Sequence, residues 1–159
     1  MPDLTAAVIT VSDSCARGER EDKSGPAVAH LLESLHFSVA VREVVPDDSI
    51  KIQNLLIRLA REVRFIVTTG GTGIAARDVT PDATMAVCDR ILDGVAERMR
   101  QEGSNKTPFA ALSRGICGTR GKALILNVPG SPAGAVESLQ AVAGLIPHAI
   151  DLLSGKTEH

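Results

Sequence analysis

Three glycines, Gly70, Gly71 and Gly73, lie among Thr68, Thr69 and Thr72 in the stretch TTGGTGIAARDVTPDAT, residues 68–84. Such a run presents backbone N–H groups where a ligand can approach closely, which suits phosphate oxygens. Two carboxylates follow at once, Asp78 and Asp82, with Arg77 beside the first. A bare carboxylate next to a polyphosphate is repulsive. A carboxylate that holds Mg²⁺, shared with phosphate oxygens, is the usual arrangement for phosphoryl and nucleotidyl transfer. The stretch therefore reads as glycines for phosphate and acids for its metal. Asp82 falls in a first helical turn, where the helix dipole favours a carboxylate whatever its function. Asp47 and Asp48 are equally explicable as helix caps. Asp78, in a loop ahead of the helix start, has no such structural reason.

Two better-known phosphate motifs do not fit. Gly71-Thr72-Gly73-Ile74-Ala75-Ala76 matches the G-x-G-x-x-A dinucleotide pattern by letter, but that pattern needs a helix opening at the glycines, and Pro81 sits in what would be its interior. A P-loop needs Gly-Lys-Ser/Thr, which is absent. A plain turn between strand and helix remains open, although three glycines and three threonines exceed what a turn requires.

The elements that would position these residues alternate in type. AAVITVS (6–12), SVAVREVV (38–45), RFIVTT (64–69) and KALILNVP (122–129) are short apolar, β-branched runs and read as strands. Helices are expected over 26–36, after Asp47-Asp48-Ser49, from Thr80 as N-cap with Pro81 at the first position to about Leu92, and over 132–153, where Pro147 should kink or split the last. Residues 94–118 read as two short helices broken near Gly103 to Pro108. Alternation of this kind predicts an α/β fold, a three-layer, mostly parallel open sheet with helices on both faces. Ligands of such sheets sit outside the carboxyl ends of the strands. All four strands run there into small, polar or acidic loops: Ser12-Asp13-Ser14, Pro46-Asp47-Asp48, Gly70 to Gly73, and Pro129-Gly130-Ser131-Pro132. One shared site is the expectation.

At 159 residues the chain is expected to form a single domain, residues 1–159. Composition is ordinary for a globular protein, 44% hydrophobic and 23% charged. With net charge −2, no basic run and only three aromatic residues, all Phe, nucleic-acid binding gets no support. No apolar run approaches the roughly 20 residues that span a bilayer. MPDLTAAVITVSDS lacks the features of a signal peptide. Cys15, Cys88 and Cys117 are odd in number and far apart, matching neither a disulfide framework nor a zinc site. A cytoplasmic, reduced protein is expected, acting without a membrane.

These residues closely resemble the molybdopterin adenylyltransferase family of molybdenum-cofactor biosynthesis, which includes the plant and gephyrin-type G domains. The resemblance covers nearly the whole chain. It rests on Ser12-Asp13-Ser14 with Gly18, Asp22-Lys23-Ser24-Gly25-Pro26, Val45-Pro46-Asp47, Gly70 through Thr84, Leu112-Ser113-Arg114, and Leu126-Asn127-Val128-Pro129-Gly130-Ser131-Pro132. It implies a molybdenum cofactor biosynthesis fold that moves AMP from ATP to the terminal phosphate of molybdopterin, releasing pyrophosphate. Mg²⁺ as cofactor, ATP as co-substrate, a homotrimer, and hand-over of the product to a molybdenum-insertion enzyme are implied with it. Asp47 and Asp78 match the essential acids and are assigned to catalysis and metal. Gly70, Gly71, Thr72, Gly73, Asp82, Pro129 and Gly130 are assigned to nucleotide or phosphate, and Ser12, Asp13, Ser113, Arg114 and Ser131 to substrate.

One position departs from the pattern. Ala133 stands where many members carry Lys after Ser-Pro, and Arg77, Arg114, Arg120 or Lys122 would have to replace its charge. The attacking phosphate monoester is largely ionised at neutral pH, so neither a catalytic His nor a nucleophilic Cys is required. Two other readings stay open at this point. One is a related protein that binds molybdopterin without adenylylating it; the other is a nucleotide pyrophosphatase like the competence-damage relatives.

Overall fold

The computed structural model describes residues 3–156, so Met1 and Pro2 of the N-terminal stretch lie outside the described residues. A six-stranded sheet in the order β2-β1-β3-β6-β5-β4 forms the middle layer. Its parallel part contains β1 (Thr5–Val11), β2 (Ser38–Val45), β3 (Phe65–Thr69) and β6 (Ala123–Val128), the four runs read from the sequence. Every residue of β3 and β6 is buried, as continuous apolar runs covered on both faces should be.

Alternation along β1 sorts the two faces. Ala6 and Val8 point into one core with α2 (Ser24–Ser34), α5 (Asp93–Ser104), α6 (Pro132–Val142) and α7 (Ile146–Leu153). Ala7, Ile9 and Val11 point into the other, with α3 (Ser49–Glu62) and α4 (Thr80–Val87). Both cores are almost wholly aliphatic; Phe37 and Phe65 are the aromatics in the first, 5.5 Å apart between ring centroids.

Four differences from the sequence reading have physical causes. β5 (Cys117–Arg120) pairs antiparallel with β6, and the two-residue β4 (Arg90–Ile91) pairs antiparallel with β5. Cys-Gly-Thr-Arg carries no apolar alternation, and two residues cannot show any; the expected break near Gly103 to Pro108 does fall between α5 and a 3-10 turn at Pro108–Leu112, ahead of β5. A four-residue helix, α1 (Asp13–Ala16), follows β1 directly, capped by the Ser12 hydroxyl accepting from the Cys15 N–H. α4 ends at Val87, not Leu92, because Cys88 turns extended to enter β4. Thr80 is the first residue of α4 and not its cap; Val79 holds that position without a side-chain hydrogen bond.

Pro147 splits the last helix as expected. A 3-10 turn at Ala143–Leu145 separates α6 from α7, whose second residue is Pro147. There the missing N–H is one that no helix would use.

Candidate functional site

The sheet register sets the carboxyl ends of its parallel strands level. Val11 pairs with Val45, Thr10 with Thr69, and Thr69 with Val128. The four loops that leave these residues therefore share one rim. A cavity of about 570 Å³ opens there, lined by residues of every one of the four loops, among them Ser12, Asp47, Gly70, Gly71, Gly130 and Ser131. Asp78 lines it too, so Asp47 and Asp78 face one space.

The glycine turn is shaped by its contacts. Gly70 has φ +97° and Gly71 φ +66°, a region that costs any residue with a Cβ. The Gly70 N–H donates to Val128 O, tying the turn to the end of β6. The next three carbonyls all point into the protein: Gly71 O accepts from Thr80 N, Thr72 O from Arg114 N, and Gly73 O from Arg114 Nε. A trans peptide aims its N–H opposite to its C=O, so the N–H groups of Thr72, Gly73 and Ile74 are turned outward. They make no hydrogen bond within the described residues. These are the N–H groups of the turn that are open to a ligand, while Gly70 contributes shape.

Asp47 is held by a reciprocal pair. Asp13 N–H donates to Asp47 Oδ2 at 3.0 Å, and Asp47 N–H donates to Asp13 Oδ1 at 3.0 Å. Asp13 in turn takes both a Nε and a terminal N–H of Arg77, at 3.0 and 2.9 Å. The Arg77 guanidinium holds the Asp13 carboxyl below its ordinary value. Asp13, expected to touch substrate, is thus fully engaged in supporting Asp47 and in fastening the glycine loop to the end of β1. Burial pushes the Asp47 carboxyl above its ordinary value. The charges of Asp13 and Asp78 add to that rise, and the Asp13 N–H and Arg77 oppose it.

Asp78 is fixed by one oxygen, Oδ2 accepting from Ala75 N–H at 3.0 Å. Each acid therefore has one immobilised oxygen and one, Oδ1, without a hydrogen bond within the described residues. Two hard oxygens on mutually repelling carboxylates, beside a turn with outward N–H groups, are the donor type that suits Mg²⁺. No group of three or more His, Cys, Asp or Glu able to hold a metal occurs among the described residues.

The third acid is placed differently. Asp82 lies 62% exposed and takes a forked contact from Arg114, at 3.1–3.2 Å. Arg114 also donates to Gly73 O at 2.8 Å and Asp78 O at 2.6 Å. One guanidinium thus pins the far side of the loop through its backbone carbonyls. Of the four cations considered in place of a lysine at Ala133, Arg77 and Arg114 are engaged with carboxylates. Arg120 and Lys122 flank the β5–β6 turn, at the end of β6 opposite Pro129.

Ser113 and Thr72 belong to a second cavity of about 420 Å³, lined also by Gly73, Pro129 and Ser131. Its walls carry Ile74, Phe109 and Leu112, which are 71%, 74% and 52% exposed. Ser131 lines both cavities, and its hydroxyl caps α6 by accepting from Gly134 N–H.

The site also contains residues that were not singled out as ligands, including Thr10, Arg20, Asp22, Lys23, Ser24 and Thr69. Asp22-Lys23-Ser24 was the signal available in the sequence, since it belongs to the motif that carries the family resemblance. Thr10 donates to Asp22 Oδ2, Asp22 Oδ1 accepts from Gly25 N–H, and the Ser24 and Thr69 hydroxyls pair at 2.7 Å. These bonds dock the start of α2 on the ends of β1 and β3.

Cys15 also lines the first cavity. Burial disfavours the thiolate of the other two, pushing Cys88 up to about 11 and Cys117 up to about 12. A maleimide at neutral pH should therefore label Cys15 alone in the folded protein, and MgATP should slow that labelling, as peptide mass mapping would report. Equal labelling with and without nucleotide would place the nucleotide elsewhere.

Comparison with known proteins agrees with this architecture. Residues 7–148 match the family model described as a probable molybdopterin binding domain. A molybdopterin adenylyltransferase of Helicobacter pylori strain J99 is 40% identical over 98% of this chain and 90% of its own length. The molybdenum cofactor synthesis protein cinnamon of Drosophila melanogaster is 39% identical over 96% of this chain, which spans only 26% of that longer protein. The crystal structure of the molybdopterin biosynthesis enzyme MoaB from Thermus thermophilus superposes with a TM-score of 0.90 at 48% identity, covering 96% of this chain and 98% of that one.

Proposed function

The chain belongs to the molybdopterin-binding family of molybdenum cofactor biosynthesis, and from that premise we propose that it is a molybdopterin adenylyltransferase. In the reaction, an oxygen of the molybdopterin terminal phosphate attacks the α-phosphorus of ATP. The bond from that phosphorus to the bridging oxygen of the β-phosphate breaks, and pyrophosphate leaves with the electron pair. The observation that carries the proposal is the single cavity in which Asp47, Asp78 and the glycine turn meet.

Asp47 and Asp78 would hold Mg²⁺ through their Oδ1 atoms. When bound, that ion would supply charge neutralisation for the phosphates. The outward N–H groups of Thr72 and Gly73 receive a phosphate oxygen. Ser131, common to both cavities, lies where two phosphates would meet. ATP occupies the larger polar cavity, and the flat pterin the second, against Phe109 and Leu112 and beside Ser113. No general base is needed, so the work of the residues is alignment and charge neutralisation.

No helix among the described residues is long and apolar enough to cross a membrane. The same reading, resting on the motif resemblance, takes the protein as a cytoplasmic homotrimer that passes adenylylated molybdopterin to a molybdenum-insertion enzyme. Incubation with molybdopterin, Mg²⁺ and ATP should give adenylylated pterin and pyrophosphate in equal amounts. Retention of unmodified molybdopterin without ATP consumption would show a binding protein instead, and hydrolysis of ADP-ribose without pterin would show a pyrophosphatase.

A further inference from the structure

The polar cavity is lined by four carboxylates, Glu21, Asp22, Asp47 and Asp78, and by two cations, Arg20 and Lys23. Asp22 is spent on Thr10 and Gly25. Neither the Arg20 nor the Lys23 side chain forms a hydrogen bond or an ion pair within the described residues, and both residues are exposed. The other cations near the rim are engaged: Arg17 with Glu19, Arg77 with Asp13, and Arg114 with Asp82. A nucleoside triphosphate carries about four negative charges, and one divalent cation leaves about half of them uncompensated. Charge also moves onto the departing diphosphate as its bond to the α-phosphorus breaks, so a contact there gains strength along the reaction.

We propose that Arg20 and Lys23, on the segment between α1 and α2, bind the diphosphate end of the nucleotide and the pyrophosphate that leaves. The α-phosphate then lies at the carboxylates and glycine turn, and the outer phosphates extend toward this lip. The assignment rests on the adenylyl-transfer reading for the identity of the polyphosphate, while the anion contact itself rests on the two uncompensated charges. Arg presents a planar fork and Lys a point charge, so together they can grip a diphosphate at two oxygens.

The test measures binding of inorganic pyrophosphate, with Mg²⁺ present, to the wild-type protein and to Arg20→Gln, Lys23→Gln and the double variant. Lys122→Gln, at the far end of β6, removes the same charge away from the cavity. Each lip variant should weaken pyrophosphate binding about tenfold, raise KM for ATP, and leave KM for molybdopterin unchanged. The Lys122 control should bind as the wild type does. Unaltered pyrophosphate affinity in the double variant overturns the proposal even if adenylylation by the wild type is normal. So does an equal loss in the Lys122 control, because net charge alone would then account for it. A wild type that makes no adenylylated pterin, yet binds pyrophosphate through Arg20 and Lys23, would retain the anion contact and remove the adenylyltransferase reading.

Discussion

Asp78→Asn should abolish most turnover while the protein stays folded. The amide keeps an oxygen able to accept from Ala75 N–H, the bond that sets the side chain at 3.0 Å, so the loop retains its shape. What the substitution removes is the charge behind the unbonded oxygen. Loss of a metal ligand costs several kcal/mol of transition-state stabilisation, or about two to four orders of magnitude in kcat. Molybdopterin affinity should persist, since the second cavity does not include Asp78. Asp82→Asn is the matched comparison. Its carboxylate is an exposed partner of Arg114, and such pairs contribute about 0–1 kcal/mol, so turnover should fall only a few-fold. Steady-state kinetics of both variants would separate the two acids, and similar losses would contradict the assignment of metal to Asp78.

The second large effect is on the fold of the rim. Gly70→Ala should lower Tm by roughly 10 °C and turnover along with it. Two costs combine. An alanine at φ +97° loses about 1–2 kcal/mol. Its Cβ would also collide with the Val11 carbonyl oxygen, a backbone atom held in β1 that cannot swing aside. Moving the turn outward would break the Gly70 N–H bond to Val128 O and separate it from Gly130, whose own Cβ would lie 3.2 Å from Gly70 Cα. Gly18→Ala isolates the first cost: φ is +73° and nothing lies within 4 Å. That variant should lose only about 1 kcal/mol, and equal melting shifts would show that the close approach to β1 is not what demands glycine at position 70.

The parts of this structure that sequence revealed are those whose chemistry is local. Buried parallel strands are continuous apolar runs, so β1, β3 and β6 announced themselves, and the edge strand β2 did so by its β-branched alternation. Their common direction then brought Asp47, Gly70 and Gly130 to one edge before any distance was known. Pro147 needed only its missing donor to divide a helix. The β4–β5 hairpin left no such trace, because Arg90–Ile91 is too short to alternate and Cys117–Arg120 takes its place from pairing with β6.

Side-chain roles set by partners distant in sequence were equally hidden. Asp13 reads as a polar loop residue until Asp47 and Arg77, 34 and 64 positions away, occupy it. Arg114 reads as a substrate cation until Asp82, 32 positions away, and two loop carbonyls take its donors. Of the two lip cations, Lys23 was visible only as part of the Asp22-Lys23-Ser24 motif and Arg20 not at all, since what sets them apart is that the neighbouring cations Arg17, Arg77 and Arg114 are engaged. The exposure of Phe109 and Leu112 along the second cavity left no sequence trace either, because it depends on the 3-10 turn after α5.

Manganese, used in place of Mg²⁺ and followed by electron paramagnetic resonance, addresses the central arrangement most directly. In the wild-type protein, Mn²⁺ should bind tightly only when ATP is present, because two carboxylates and the nucleotide share its coordination. Asp47→Asn and Asp78→Asn should each abolish that ternary signal, while Asp82→Asn should keep it. An unchanged Mn²⁺–ATP complex in both of the first two variants would mean that the rim carboxylates do not hold the metal.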